Sequence, residues 1–519
     1  MIRKSILYIA LISLLAATLS LLNTTAAWGQ SVPIRFRLET QAIGTTNDVV
    51  PFWLRSNQFG SIPLAGGSGS FIGSAYKDYH GENQDSSARK TFDWGFGLEG
   101  RANAGQGSNL LLITSFVKLK ASIFQLQLGR TKDVLGLNGD TTLSSGNFSI
   151  SGNALGVPKV ELSIPNYYSF PVLNGLISIK GNFAHGWLGK TRILDRISSG
   201  ENNGNNNYTI DKNPATYLHQ KSLYVRFGAK NWRLKVYGGF NHQVFWGNES
   251  AAYGPLFGLS TFETFRYVIL GKTYRPQSIP ASKIGNQLGS LDLGADYRFN
   301  GINISIYRQF IYETGALAKL ANVRDGLSGI TLTNLSYQEN KRDFKWKKIL
   351  LEVFYTKDQA GYPWSKPTQS GDEDYYNNYY YPNGWSYKSE GLGNPLLTPQ
   401  HYANRGLAAA PNKYFINNRV LAFHSGFIGS YQKLDLLVKA TYSKNYGTFA
   451  TSEYGESTGS YRNRPPWGLF NEVNQLSLYV EAGKSLKKNY YVSLSGALDQ
   501  GKLLPNSLGF IVKLKKEFK

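Results

Sequence analysis

Between Asp372 and Tyr387 the chain reads DEDYYNNYYYPNGWSY, three adjacent acids followed by seven aromatics within 13 residues. A sugar ring has an apolar face edged by hydroxyls, so an aromatic ring can stack on the face while neighbouring polar groups bind the edge. Tyr375, Tyr376, Tyr379, Tyr380, Tyr381, Trp385 and Tyr387 offer both chemistries, which makes them the candidate polysaccharide contacts. The competing reading is a loop folded into a lumen and packed by its own aromatics, and the two are compatible. Asp372, Glu373 and Asp374 are adjacent in a loop, whereas glycosidase carboxylates must flank a bond about 5–10 Å apart on opposite sides of a sugar. They read instead as a solvent-exposed or cation-holding loop. The six histidines, His80, His185, His219, His242, His401 and His424, show no metal-ligand spacing, and without cysteine a zinc site would need histidine and carboxylate alone. The expectation is a non-catalytic protein without metal or cofactor.

The elements that must position these residues read as strands. From Thr91 to Ala104, Phe92, Trp94, Phe96, Leu98, Ala102 and Ala104 share one parity and Asp93, Glu99, Arg101 and Asn103 the other. A strand has a side-chain period of two, so one face is apolar and the other polar. The pattern recurs in Phe124–Leu128, Leu223–Phe227, Trp232–Val236, Leu291–Phe299, Ile302–Ile306, Leu476–Ala482, Val492–Leu498 and Leu508–Phe518. Asn300-Gly301 marks a two-residue hairpin turn. Pro255 to Leu270 breaks the alternation, with Leu259, Phe262, Phe265 and Ile269 at helical spacing, and predicts a helix that plugs or caps a mouth. The polar stretch Glu201–Asn207 reads as an exposed loop tip.

Arg3 and Lys4, an apolar run from Ile6 to Leu22 and a small-polar exit form a secretory signal peptide over residues 1–29. Residues 30–519 then form a single barrel domain of 16 to 18 strands, with about 30–90 supplying a plug or the first strand. After export no apolar run of about 20 residues remains, so a membrane location requires a closed barrel. Aromatic content of 14%, with 34 Tyr and 10 Trp, suits girdles at two interfaces. Trp53, Trp364 and Trp467 are candidate interface anchors. The absence of cysteine excludes a lipoprotein anchor and disulfides. The formal charge is +22, or +20 once Arg3 and Lys4 leave. Export argues against nucleic acid as the partner of so basic a chain, and leaves acidic surface polysaccharide and lipopolysaccharide phosphates.

Three further segments carry a resemblance. Pro51-Phe52-Trp53-Leu54-Arg55-Ser56-Asn57-Gln58-Phe59-Gly60, the run from Tyr237 to Gly247, and Gly384-Trp385-Ser386-Tyr387 with Gly393-Asn394-Pro395-Leu396 resemble motifs of the Bacteroidetes branch of the Wzi capsule-assembly family. The resemblance implies an 18-stranded outer-membrane barrel with small helices on the periplasmic side. It also implies a lectin-like protein that retains capsular polysaccharide or exopolysaccharide at the cell surface and is not its export channel. Trp53, Arg55, His242 and Trp246, within these motifs, are candidate lumen contacts. The expected partners are the acidic polysaccharide, outer-membrane lipid and lipopolysaccharide, and the outer-membrane assembly machinery, with the protein a monomer. The rival reading is a passive porin for oligosaccharides, in which the aromatics form a sliding track. A plugged lumen would separate the two.

Overall fold

The computed structural model describes residues 33–518 apart from 81–90, 107, 195–210, 278–281, 339–342, 362–367, 369–372, 380, 412 and 455–467. The leader, the 201–207 loop tip, Trp364, Trp467, Asp372 and Tyr380 lie outside the described residues. Eighteen strands form one antiparallel sheet. In chain order they are β1 (Arg35–Thr45), β2 (Ser68–Lys77), β3 (Phe92–Gly105), β4 (Asn109–Ala121), β5 (Phe124–Arg130) and β6 (Lys159–Ser169). There follow β7 (Ile177–Lys190), β8 (Ala215–Phe227), β9 (Leu234–Trp246), β10 (Asn286–Phe299), β11 (Ile302–Tyr312) and β12 (Gly326–Asn334). The last six are β13 (Lys345–Tyr355), β14 (Val420–Tyr431), β15 (Leu434–Asn445), β16 (Val473–Leu486), β17 (Tyr490–Gly501) and β18 (Ser507–Phe518). Each strand pairs with its neighbours in sequence, and β1 pairs with β18 from Phe36↔Phe518 to Thr45↔Gly509, which closes the cylinder. Closure removes every sheet edge, the condition for strands to cross a bilayer.

The alternation decides which face looks out. In β3, Phe92, Trp94 and Leu98 are exposed while Glu99, Arg101 and Asn103 are buried inside. Leu291 and Leu293 in β10 and Leu494 in β17 face out in the same way, as do Phe510, Val512 and Leu514 in β18. So wide an apolar exterior is stable only in lipid, and the chain is a transmembrane β-barrel. Among the described residues no helix is long and apolar enough to cross a membrane.

The two ends differ. At the end holding both termini, tight turns include 122–123, 300–301 and 432–433. Asn300 (φ 45°) and Gly301 (φ 78°) supply the paired positive φ values that match hairpin twist. Phe92, Phe124, Phe227, Trp232, Phe299 and Phe344 expose their rings there as a girdle. At the opposite end seven of the nine connections are long, 46–67, 131–158, 191–214, 247–285, 313–325, 356–419 and 446–472, and two, 106–108 and 502–506, are short. The α-helices α1 (Phe52–Arg55), α2 (Glu249–Tyr253) and α3 (Thr261–Leu270) all lie in these long connections. The α-helices thus lie at the long-loop end, while the 3-10 turns Val172–Asn174 and Lys487–Asn489 lie at the short-turn end.

Candidate functional site

Three long connections turn inward and fill the long-loop half of the lumen. The segment 131–158 is the hub. β5 stops at Arg130, level with Ser115 of β4, so the chain leaves the wall early and enters the barrel. Residues 143–157 are buried without a break. Small and polar residues alternate there with buried Leu143, Phe148, Ile150, Leu155 and Val157, and backbone and side chain together bond to the inner wall. Ser144 Oγ and the Ser145 amide donate to Glu352 of β13, both at 2.7 Å. The Leu137 amide donates to Asp292 of β10 at 2.7 Å, and Gln309 of β11 donates to Asn147 Oδ1 at 2.6 Å. Ser149 Oγ donates to Asn241 of β9.

The second inward piece is 46–67, whose α1 contributes the helical element of the plug. The Phe52 amide donates to Asp499 of β17 at 2.7 Å. Trp53 Nε1 donates to Thr441 of β15 at 3.0 Å, and Lys439 Nζ lies 4.6 Å from its ring centre. Arg55 stacks over Tyr402 at 3.5 Å. Trp53 and Arg55 thus do face the lumen. The third piece, 373–419, holds the aromatic run. Trp385 stacks on Phe245 of β9 at 4.0 Å, and its Nε1 donates to Ser149 O at 2.8 Å. Tyr376 donates to Phe148 O and accepts from the Asn394 amide at 2.8 Å. Gly393 allows this approach: a Cβ there would sit 2.0 Å from both Phe148 O and Tyr376 Oη. The three family-like segments meet around the hub, since Asn57 donates to Ser145 O, Phe245 carries Trp385, and Asn394 donates to Gly146 O.

The acids of the aromatic loop act as structural acceptors. Glu373 is fully buried and accepts from the amides of Glu313, Thr314 and Ala316 and from Thr314 Oγ1, at 2.5–3.1 Å. Asp374 pairs with Lys413 at 2.8 Å. Asp325 accepts from the Asp358 and Gln359 amides and from Tyr375 Oη. Burial pushes Asp325 up to about 7 and raises Glu313 and Glu373 above the usual carboxylate range. The solvent-exposed reading is thus corrected for Glu373: the loop needed an acceptor for four buried donors.

Of the candidate sugar contacts, Tyr375, Tyr376, Tyr381 and Trp385 are at most 1% exposed and Tyr387 is 7% exposed. Tyr375 is held by Asn322 and Asp325, Tyr381 donates to Asn248 at 2.8 Å, and Tyr387 accepts from Arg130 at 3.2 Å. Tyr379, 41% exposed, is the described member of the set that presents its ring to solvent, with its hydroxyl 3.4 Å from that of Tyr253.

His242 and Trp246 are not lumen contacts. They share the outward parity of Leu234 and Val236 in β9, whereas Asn241 and Phe245 point inward. They stay buried because α3 lies on the outer wall. Phe265 stacks on Trp246 at 5.2 Å, and Val268 packs with Val244 and Ile284. The helix forms over Thr261–Leu270, the later part of the 255–270 stretch its spacing predicts, with a Ser260–Glu263 capping box and Gly271 at its end, but it straps the barrel instead of plugging it. The signal was present: His219, Lys221 and His242 interrupt the lipid-facing parity, and polar groups there require a cover. Among the described residues no group of three or more histidines and carboxylates could hold a metal ion.

No family model and no curated protein matches this chain. Among solved structures it resembles Wzi of Escherichia coli, described as an outer-membrane protein involved in group 1 capsule assembly and a carbohydrate-binding β-barrel. The two are 9% identical, with a TM-score of 0.54 over 93% of this chain and 84% of that one. Two further similar structures are OccAB2 of Acinetobacter baumannii, with 12% identity, a TM-score of 0.43 and 94% and 100% coverage, and OccD3 of Pseudomonas aeruginosa, with 12%, 0.41, 95% and 93%. What the likeness to Wzi establishes is the fold, a closed β-barrel of the outer-membrane kind.

Proposed function

We propose that this barrel sits in the outer membrane and holds a long acidic capsular polysaccharide or exopolysaccharide at the cell surface without cleaving it. The observation that carries the reading is the plug. Its bonds reach β9, β10, β11, β13, β15 and β17, so a polymer would meet a filled mouth and not a track. The fold shared with carbohydrate-binding Wzi, the surplus of positive charge and the surface Tyr379 support it. Each contact is weak, and retention arises from many sugars meeting many copies of the protein. The protein acts as a monomer, inserted by the outer-membrane assembly machinery.

Two measurements test this. In a planar bilayer the purified protein should show no large stable conductance; such a conductance would favour the passive oligosaccharide channel. A deletion strain should shed polysaccharide into the medium while still making it, and unchanged retention would remove the function. The contact residue is tested by Tyr379→Ala, which should weaken retention and leave the plug intact. Binding should also fall with salt, because exposed charges are screened over about 8 Å at physiological ionic strength.

A further inference from the structure

The strap on the outer wall has a face that neither the barrel nor the plug uses. Thr264 and Val268 are buried against the wall, whereas Phe262 is 75% and Leu270 56% exposed. Phe262, Arg266 and Leu270 follow one another at four-residue spacing, so they form one stripe pointing away from the barrel. An exposed apolar stripe with basic residues, on a helix lying along a membrane protein's outer surface, suits the membrane–water interface.

The charges are one-sided. Arg266, Lys272, Arg275 and Lys283 are exposed, and among the described residues none of them forms an ion pair. Glu263 is the one acid between 255 and 285, and it is engaged in capping Ser260. Lys272 precedes Thr273, which pairs with Lys283 across a short antiparallel ladder. Lys221 of β8 donates to Ile269 O at the helix end, and Lys283 is the charge that faces it. The cations therefore gather where α3 ends. Lys221 lies six residues from Phe227, at the short-turn end of β8. With a rise of about 3.3 Å per residue and a tilt near 40°, this puts Lys221 about 15 Å above that end. Lys283 comes three residues before Asn286, which opens β10 at the long-loop end, so the cations rise from Lys221 towards the long-loop rim of an apolar band about 25 Å tall.

We propose that the strap is a binding site for a phosphorylated glycolipid of the outer leaflet, with Lys272, Lys283, Arg275 and Arg266 engaging its phosphates and Phe262 and Leu270 lying beside its acyl chains. Glu263, held by Ser260, is the one acid on this stretch to compete with a phosphate, and it faces Arg266; a charge-assisted contact from several cations outweighs one such competitor. The site rests on the outer-membrane placement proposed above and is independent of the polysaccharide reading. The test is native mass spectrometry of the full barrel in detergent with bis-phosphorylated lipid A. Wild type should retain the lipid, less so as salt rises. The variant R266Q/K272Q/R275Q/K283Q should bind at least tenfold more weakly while keeping its heat-modifiable mobility and its cell-bound polysaccharide. Equal binding by that variant, or of dephosphorylated lipid A by wild type, overturns the site. Equal binding of phosphatidylglycerol overturns its assignment to a glycolipid. F262A and L270A, which touch no charge, should loosen the lipid without changing the salt dependence.

Discussion

Glu373 shows how the plug is held residue by residue: one buried carboxylate gathers four donors from 313–316. Glu373→Gln would set an NH2 group against backbone amides, and each orphaned buried donor costs about 1–3 kcal/mol. The barrel should still form, but limited proteolysis at the long-loop end should speed up; unchanged protection would show that the acceptor is dispensable. Trp385→Ala removes a stacked ring and a hydrogen bond, a loss on the order of 3–5 kcal/mol for a core tryptophan, and should loosen the plug where Tyr379→Ala does not. The acids also set a pH dependence. An unfolded aspartate titrates near 3.9, whereas Asp325 in the fold titrates at about 7. Its folded form favours the proton, as do those of Glu313 and Glu373. The contribution of Asp325 to the plug is full below about pH 4 and is lost as pH rises through about 7, and those of Glu313 and Glu373 change in the same direction. Protease protection of the long loops should therefore be greater at about pH 5.5 than at about pH 8, and a reversed order would refute the assignment.

At the level of elements, strands were legible wherever both faces had a consistent character. Phe92 to Ala104, the Asn300-Gly301 hairpin and Leu508 to Phe518 correspond to β3, the β10–β11 turn and β18. Periodicity is a property of one strand against two environments, and here the environments are lipid and a polar lumen. It is silent about the hub 143–157, whose Ser, Gly and Asn residues resemble those of any surface loop until their bonds to Glu352, Gln309 and Asn241 are seen. For the same reason the aromatic run could be recognised as unusual but not as interior: a tyrosine that stacks on sugar and one that donates to Asp325 have the same letter. The helix at 261–270 was legible in its spacing, while its start at the Ser260 cap and its side of the wall, set by the frame of His219, Lys221 and His242, were not. Replacing 143–153 with a Gly/Ser linker of equal length should leave β-sheet content unchanged by circular dichroism and raise bilayer conductance. A barrel that stays closed to ions after that change would mean the other two inward segments seal it alone.

On the scale of the whole molecule, the cylinder is held by pairings between consecutive strands and by one seam between β1 and β18. Phe36 lies opposite Phe518, so the first and last strands end side by side. A circular permutant that joins them through a short linker and opens the chain between Gln432 and Lys433 should refold in detergent to a heat-modifiable barrel. Failure to refold would mean that strand order in time, and not the final set of pairings, governs the fold. In the natural order the seam has a consequence for synthesis. β1 emerges first and has half of its hydrogen bonds unmet until the final dozen residues arrive. A chain cut short anywhere before β18 keeps two raw edges and cannot become a cylinder. The seam thus makes closure of the cylinder depend on β1 and β18 together, the two strands farthest apart in the chain.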